Sequence, residues 1–290
     1  MKNLLNSFNV FCARRRWLKR IVRSFLSDIA YFDLLDDSMR VFFNPKDLTG
    51  PSFHLAYDLD RGFQNYEEVD KEEIVKCLPS NGIFVDVGAN IGLFSLYVIK
   101  KCPNVQIYSF EPNSKVRKCL EKTKVYNKFN NLKIYSNAIG KNESNGKLFK
   151  SNNNDGGHSL NRNYEQIIVN EYEEVKIKPL DKLIILDGDK KVNVIKIDVE
   201  GAEKDVLEGA IELIKSDRPM MLIEILNRDL IDHKGIYKTL AMNFSEDITV
   251  RSPGSHEKRS LKQISDLADT NLSSGTEYNN YIFEFNSLNN

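Results

Sequence analysis

The stretch Ile83–Ser95 constrains the fold more than any other part of the chain. Ile83–Val87 (IFVDV) is a short apolar run rich in β-branched residues, which predicts a buried strand. A turn follows that contains Gly88, Asn90 and Gly92, after which LFSLYVIKK resumes at helical spacing. A strand, a glycine turn and a helix together bring backbone N–H groups and a helix N-terminus close to a ligand.

The spacing of this turn, which starts at Asp86, is D-x-G-x-x-x-G. Dinucleotide-binding folds use G-x-G-x-x-G instead, and that pattern is absent. Asp86 supplies a fixed acceptor at the end of the strand. A glycine turn also commonly connects a strand to a helix without any role in ligand binding. An NAD-dependent oxidoreductase therefore stays open as an alternative function, with the missing glycine pattern against it.

Further strands alternate with helical patterns along the chain. Predicted strands are Val105–Phe110, Leu132–Ser136, Val192–Val199, Met220–Leu226 and a closing strand at Tyr281–Phe285. This order predicts an α/β fold with a doubly wound, mostly parallel sheet. We place a domain at residues 66–290 and an N-terminal extension at residues 1–65.

Residues 11–29 predict a basic amphipathic helix in that extension. Its apolar residues near one face are Phe11, Leu18, Ile21, Val22, Phe25 and Ile29. Such a helix can lie on an anionic membrane, or it can dock on its own domain or a partner with its basic face solvated. No signal peptide is predicted, so we expect a cytoplasmic protein, either free or peripheral to the membrane. A non-catalytic adaptor that uses this helix is a second alternative function.

The composition excludes some classes of function. Lysine and arginine number 41, as do aspartate and glutamate, so no global field favours nucleic acid. The four cysteines are scattered without C-x-x-C pairs, which indicates free thiols in a reducing compartment. The four histidines show no metal-binding spacing.

Polar side chains follow the predicted strands where each strand ends. They are Asp86, Glu111, Asn137, Asp198 and Glu200. In an open parallel sheet, ligands bind outside the carboxyl ends of the strands, so we expect a site there, although each residue could instead cap a helix or solvate a loop. A carboxylate at the second strand's end can accept both hydroxyls of a ribose, so Glu111 predicts an adenosine-containing ligand.

Two other features bear on the site. Residues 141–165 are rich in Asn, Gly and Ser, which predicts a long polar loop. This loop is either a disordered connection or part of the functional site, and it carries His158. Lys196 lies within a predicted buried strand, so we expect it to pair with a carboxylate.

Several motifs in unbroken order resemble one known family. They are DVGANIGLFS, SFEPN, NAIG, GGHSL, VKIKPLD, IKIDVEGAEKDVLEGA and MMLIEI. These motifs resemble the FkbM-type methyltransferases, a branch of the class I, Rossmann-like, S-adenosylmethionine-dependent enzymes. The resemblance covers roughly residues 66–226 and implies a seven-stranded sheet with an antiparallel last strand.

The resemblance also implies site residues and chemistry. It assigns the cofactor S-adenosylmethionine to Asp86, Gly88, Asn90 and Gly92 on the methionine side, Glu111 at the ribose, and Asn137 and Ala138 near the adenine. The family mostly methylates hydroxyls on sugars, polyketides and other secondary metabolites, and we expect a role in polysaccharide biosynthesis. A hydroxylated small molecule or glycan is therefore the expected acceptor. The segment after Glu224 departs from the family pattern.

Loss of the acceptor's proton calls for a nearby base. Asp198 and Glu200 are the leading candidates for the base or for acceptor binding, with cofactor contact and helix capping as the other reading, and His158 is a third candidate. Asp198, Glu200 and Glu224 could hold a divalent metal, but three carboxylates at strand ends are not metal-specific. We expect no required metal.

Overall fold

The computed structural model describes residues 29–34, 38–47, 51–52, 63–151, 156–162, 167–186, 188–226, 233–244, 247–261 and 278–286. The helix predicted at residues 11–29 lies outside these residues except for its last position. No helix in the described ranges combines the length and the apolarity that are needed to cross a bilayer.

The described residues include thirteen strands and seven helices. The strands are β1 (Ala30–Asp33), β2 (Arg40–Phe43), β3 (Ile83–Val87), β4 (Gln106–Phe110), β5 (Leu132–Tyr135), β6 (Ala138–Ile139), β7 (Ser144–Ser151), β8 (Ile167–Lys178), β9 (Val194–Ile197), β10 (Met220–Leu226), β11 (Ile248–Arg251), β12 (Arg259–Ser260) and β13 (Tyr278–Phe285). The helices are α1 (Glu68–Cys77), α2 (Leu93–Lys101), α3 (Ser114–Asn127), α4 (Leu180–Leu183), α5 (Glu203–Glu208), α6 (Ile211–Asp217) and α7 (His233–Phe244).

The central sheet has the order β12-β11-β13-β10-β9-β3-β4-β5. Strands β5, β4, β3, β9 and β10 pair in parallel, and β13 pairs antiparallel with β10. The predicted doubly wound, mostly parallel sheet is confirmed, with the two-residue β12 as an eighth strand. Strand β4 lies on one side of β3, and β9, which comes later in the chain, lies on the other side. This switch in strand order opens a crevice at the carboxyl ends of β3, β4 and β9.

Helices cover both faces of the sheet. Side chains alternate along β3, so that Phe84 faces one apolar cluster while Val85 and Val87 face the other. Helices α1, α2 and α3 pack in the first cluster, and α4 to α7 pack in the second. Burial on both faces explains why the core strands are continuous apolar runs in the sequence.

The strands β1 and β2 form an antiparallel hairpin that docks on α3. The Arg40 N–H donates to Asn127 Oδ1 at 2.9 Å, and the Phe42 N–H donates to Thr123 Oγ1 at 2.9 Å. Val41 is fully buried in the same apolar cluster as α3. These contacts satisfy backbone groups on the outer edge of the hairpin. The domain boundary near residue 65 stays a prediction.

A second sheet of three strands, in the order β6-β8-β7, lies beside the first. Its largest pairing is antiparallel, between β7 and β8. The expectation of a loop throughout residues 141–165 was therefore wrong at Ser144–Ser151. Among the described side chains of these two strands, the buried apolar ones are Leu148 and Val175, which cluster with Ala138 of β6. Because most of the remaining side chains of β7 are polar, its sequence looked like a loop.

Candidate functional site

A cavity of about 420 Å³ lies at the carboxyl ends of β3, β4, β9 and β10. Its walls include the turn after β3, Glu111 after β4, Asp198 and Glu200 after β9, and Glu224 on β10. The volume falls within the range of about 300–1,000 Å³ that small-molecule sites occupy. The sheet topology brings together side chains that the sequence placed at separate strand ends.

The N–H groups of the turn, residues 88–92, all bond within the protein. Gly88 and Ala89 both donate to Phe110 O at 3.0 Å, and Gly92 donates to Ala89 O at 2.8 Å. The Asn90 N–H donates to Glu111 Oε2 at 2.8 Å, and the Ile91 N–H donates to Asn90 Oδ1 at 2.7 Å. Dinucleotide folds hold a pyrophosphate on free N–H groups at this place. This turn offers none, which weighs against a dinucleotide ligand.

Two glycines in the turn are required by close packing inside the protein. Gly88 has φ +81°, and a Cβ there would lie 1.7 Å from the Asp198 carbonyl oxygen. Gly92 has φ +87°, and a Cβ there would lie 2.3 Å from Leu120 Cδ1 on α3. Gly88, Ala89 and Asn90 line the cavity, so the turn still presents its backbone to a ligand. Gly92 lies outside the lining residues.

Glu111 is held rigidly at the end of β4. Its Oε2 accepts the Asn90 N–H, and its Oε1 accepts the Asn113 N–H at 2.8 Å. The carboxylate is 7% exposed, and burial raises its pKa to about 7 against the lowering effect of the two backbone hydrogen bonds. Each oxygen keeps an acceptor site for a further donor. A pair of adjacent ligand hydroxyls matches this arrangement.

Asp86 lies beneath the cavity and is not among its lining residues. It is fully buried, and its Oδ2 accepts the Ser95 hydroxyl at 2.5 Å. Its Oδ1 has no hydrogen-bond partner and lies 4.0 Å from Lys196 Nζ. Burial raises the pKa of Asp86, while Lys196 and Ser95 lower it. Asp86 thus anchors α2 and Lys196 below the turn, and its direct contact with a cofactor stays a prediction.

Lys196, Asp198 and Glu224 form one charged group on neighbouring strands. Lys196 Nζ donates to Asp198 Oδ2 at 2.9 Å, which confirms that Lys196 pairs with a carboxylate. Burial would raise the pKa of Asp198, but the Lys196 ammonium outweighs it and the pKa is lowered. Burial and the neighbouring Asp198 charge raise the pKa of Glu224 well above its usual value. The pKa of Asp198 is thus lowered and that of Glu224 is raised, so Glu224 holds its proton to a higher pH than Asp198 does.

Glu200 sits in the turn after β9 with φ +56°. Ser159 on the β7–β8 loop donates its hydroxyl to Glu200 O at 2.6 Å, which ties that loop to the cavity. The carboxylate oxygens of Asp198, Glu200 and Glu224 lie within 4.8 Å of one another, as a metal site would need. Lys196 already supplies a cation to Asp198 at the same place.

His158 lies on the described part of the β7–β8 loop and lines the cavity. The Ser151 N–H donates to His158 Nδ1 at 3.0 Å. A neutral imidazole that accepts at Nδ1 carries its proton on Nε2, so the ring in this state is a hydrogen-bond donor and not a proton acceptor at Nε2. Asn137 and Ala138, expected near the adenine, also line the cavity.

Three polar lining residues were not expected from the sequence as site residues: Tyr66, Glu67 and Asn280. Glu67 has φ +47°, which is unusual for a residue with a side chain. Burial raises the pKa of Glu67 to about 7, with a further contribution from Asp198. Asn280 donates to Asp70 Oδ2 at 3.0 Å. The left-handed start of α1 and the polar residue within β13 were the only local signals.

Comparison with known proteins identifies the family. A family model described as the methyltransferase FkbM domain matches residues 86–245, more than half of the chain. The chain belongs to the FkbM methyltransferase family. This membership confirms the resemblance seen in the motifs, and with it S-adenosylmethionine as the cofactor.

Individual relatives of this FkbM-family chain are distant. A segment of 180 residues is 28% identical to the AMB antimetabolite synthetase AmbE of Pseudomonas aeruginosa, and it covers 50% of this chain but only 8% of the synthetase. Methyltransferase 1 of Beauveria bassiana is 28% identical over 187 residues, which cover 59% of this chain and 73% of that protein. The structure of the methyltransferase FkbM from Methylobacillus flagellatus is 16% identical with a TM-score of 0.44, covering 82% of this chain and 56% of that one.

The residues of the cavity fit S-adenosylmethionine. The cofactor carries ribose hydroxyls but no phosphate, which agrees with a turn whose N–H groups are paired and with the two open acceptor sites of Glu111. When bound, the cofactor supplies an electrophilic methyl group on a sulfonium. The protein's own part is to hold the carboxylates of Asp198, Glu200 and Glu224 in the same cavity.

Replacing Glu111 with alanine should weaken binding of S-adenosylhomocysteine by roughly 1–3 kcal/mol, because ligand hydroxyls would be left unpaired in a buried site.

In the unmodified protein, the affinity for S-adenosylhomocysteine should fall as the pH drops through about 7, because protonated Glu111 loses an acceptor. Calorimetry at several pH values measures both effects. Glu121→Ala, on the exposed side of α3, is the matched control. An unchanged dissociation constant in folded Glu111→Ala would remove Glu111 from the site.

Proposed function

We propose that this protein transfers a methyl group from S-adenosylmethionine to a hydroxyl of a small molecule or glycan, such as a sugar or a secondary metabolite. The observation that carries the proposal is the cluster of carboxyl groups in the cavity that also contains Glu111. Asp198, Glu200, Glu224 and Glu67 all line that cavity. Carboxylates bind hydroxyl groups and can take the proton that an attacking hydroxyl must lose.

The residues of the charged group and its neighbours have different proposed roles towards the acceptor. Asp198 is ionised and fixed by Lys196, so it can orient an acceptor hydroxyl through its remaining lone pairs. Holding the attacking oxygen in line with the methyl group supplies much of the rate in such a displacement. Glu200 and His158 line the same cavity, which supports their proposed contact with other polar groups of the acceptor.

A proton acceptor is strongest in catalysis when its pKa lies near the working pH. Glu67, with a pKa of about 7, meets this condition better than Asp198, whose pKa is lowered. We therefore add Glu67 to Asp198, Glu200 and His158 as a residue of the acceptor side. No metal is required in this proposal, because Lys196 already provides the cation beside Asp198.

Incubation with methyl-labelled S-adenosylmethionine and a panel of sugars, glycans and hydroxylated metabolites tests the proposal. We expect a methyl ether, identified by NMR and mass spectrometry, that forms equally with and without a chelator. Glu111→Ala, which impairs the cofactor site, is the negative control. A product methylated on nitrogen or carbon would contradict hydroxyl methylation, and activity restored only by magnesium would contradict the metal-free site.

A further inference from the structure

A basic and aromatic surface lies on the outer side of α3 and the β1–β2 hairpin, away from the cavity lining. We call it the aromatic–basic face, and it consists of Tyr31, Arg40, Lys118, Lys122, Val125 and Tyr126. The hydrogen bonds from β2 to Thr123 and Asn127 join the hairpin to the helix. The face is therefore one continuous surface carried by two elements.

Its apolar side chains are unusually exposed. The exposed fraction is 54% for Tyr31, 74% for Val125 and 51% for Tyr126. The Arg40 guanidinium lies 4.0 Å from the centre of the Tyr31 ring and 4.3 Å from that of Tyr126, so it holds the two rings apart. Exposed apolar groups that lie together indicate a binding surface more strongly than scattered ones do.

The same face carries positive charge, which comes from α3, because Asp33 neutralises Arg40 through two hydrogen bonds of 2.6 and 2.9 Å. Helix α3 has five basic residues and one acidic residue, Glu121, which Arg117 neutralises in an ion pair at 3.2 Å. The side chains of Lys115, Lys118 and Lys122 are exposed along the stripe that leads to Val125. Because the whole chain has a formal net charge of zero, this is a local concentration of positive charge.

The chain preceding the hairpin adds more charge of the same sign. Residues 14–23 include Arg14, Arg15, Arg16, Lys19, Arg20 and Arg23, and Arg23 is only seven residues before Ala30. The segment also has an apolar pattern at helical spacing.

These observations indicate which kind of partner binds the aromatic–basic face. The chain's own basic segment and a second copy of the face both carry the same sign of charge, so each would be repelled. Nucleic acid would match the charge and stack on the tyrosine rings, but it would leave Val125, which is 74% exposed, in water. An anionic lipid surface takes all three kinds of group, with basic groups at the headgroups and apolar groups at the acyl boundary. We propose that the aromatic–basic face docks this protein on an anionic membrane surface.

Co-sedimentation of the full chain with lipid vesicles tests this proposal. We expect binding to phosphatidylcholine vesicles that contain about 30% phosphatidylglycerol, and much weaker binding to pure phosphatidylcholine. The double variant Lys118→Gln/Lys122→Gln should weaken the partition coefficient roughly 30-fold, since each basic residue near the surface contributes about a fivefold effect. Val125→Asp should weaken it as well.

The matched control is Lys215→Gln/Lys238→Gln, which removes the same charge from helices on the opposite face of the sheet. It should leave binding nearly unchanged, because those charges are screened beyond a Debye length of about 10 Å. Unchanged binding of S-adenosylhomocysteine shows that each variant is folded. Equal losses in control and test variants, no preference for anionic vesicles, or displacement of the protein from vesicles by single-stranded RNA would each overturn the proposal.

Discussion

Replacing Asp198 with asparagine should lower the methyl-transfer rate about 10²- to 10⁴-fold while it changes the affinity for S-adenosylhomocysteine far less. The neutral amide cannot provide the negative charge that Lys196 and Glu224 organise, and it cannot orient a hydroxyl as a carboxylate does. The rate with the acceptor found in the panel and calorimetry with S-adenosylhomocysteine measure the two quantities separately.

Glu200→Gln in the same cavity should also reduce turnover more than cofactor affinity. The thermal unfolding midpoint of each variant checks that the fold is intact, which matters because Asp198→Asn also leaves Lys196 without its nearest carboxylate. If turnover and cofactor affinity fall by the same factor, Asp198 is a cofactor ligand and does not act on the acceptor.

Replacing Lys196 with methionine should destabilise the protein by about 3–5 kcal/mol at neutral pH, because it leaves the carboxylates of Asp86 and Asp198 without a cation. Lys196 is 5% exposed, and its Nζ lies 2.9 Å from Asp198 Oδ2 and 4.0 Å from Asp86 Oδ1. Loss of the cation raises the pKa of both carboxyl groups above their values in the unmodified fold. The destabilisation should therefore shrink as the pH falls and the carboxyl groups become protonated. Urea unfolding at neutral and acidic pH measures it.

The double variant Lys196→Met/Asp86→Asn separates the loss of charge pairing from the loss of packing. It should be more stable than Lys196→Met alone, since one unpaired charge has gone. Lys182→Met is the control on the surface, where the ion pair with Glu143 is exposed and should contribute no more than about 1 kcal/mol. Strictly additive losses in the double variant would show that Asp86 and Lys196 do not interact.

Some of the residues that line the cavity could be predicted from the sequence, and others could not. Glu111, Asp198 and Glu200 were predictable because each follows a core strand directly, and parallel strands end at one edge of a sheet. Glu224 was visible as a lone carboxylate in the apolar run MMLIEI. Glu67 and Asn280 were not predictable, because they reach the same cavity from the start of α1 and from the antiparallel strand β13.

The chemical state of the site residues also depended on the tertiary structure. The sequence placed His158 on a polar segment as a candidate base, but only the pairing of β7 brings the Ser151 N–H to its Nδ1. Gly88 and Gly92 could be recognised as special, yet the atoms that require them, on Asp198 and Leu120, belong to distant parts of the chain.

The sequence by itself determined the alternation of strands and helices, the family and the carboxylate at the end of β4. Each of these depends on a short contiguous segment whose periodicity and spacing follow from local backbone geometry. The tertiary structure alone decided which side chains share the cavity, in which direction the pKa of each carboxyl group is shifted and where the aromatic–basic face lies. Those properties depend on burial and on distances between residues far apart in the chain, and no local pattern encodes them.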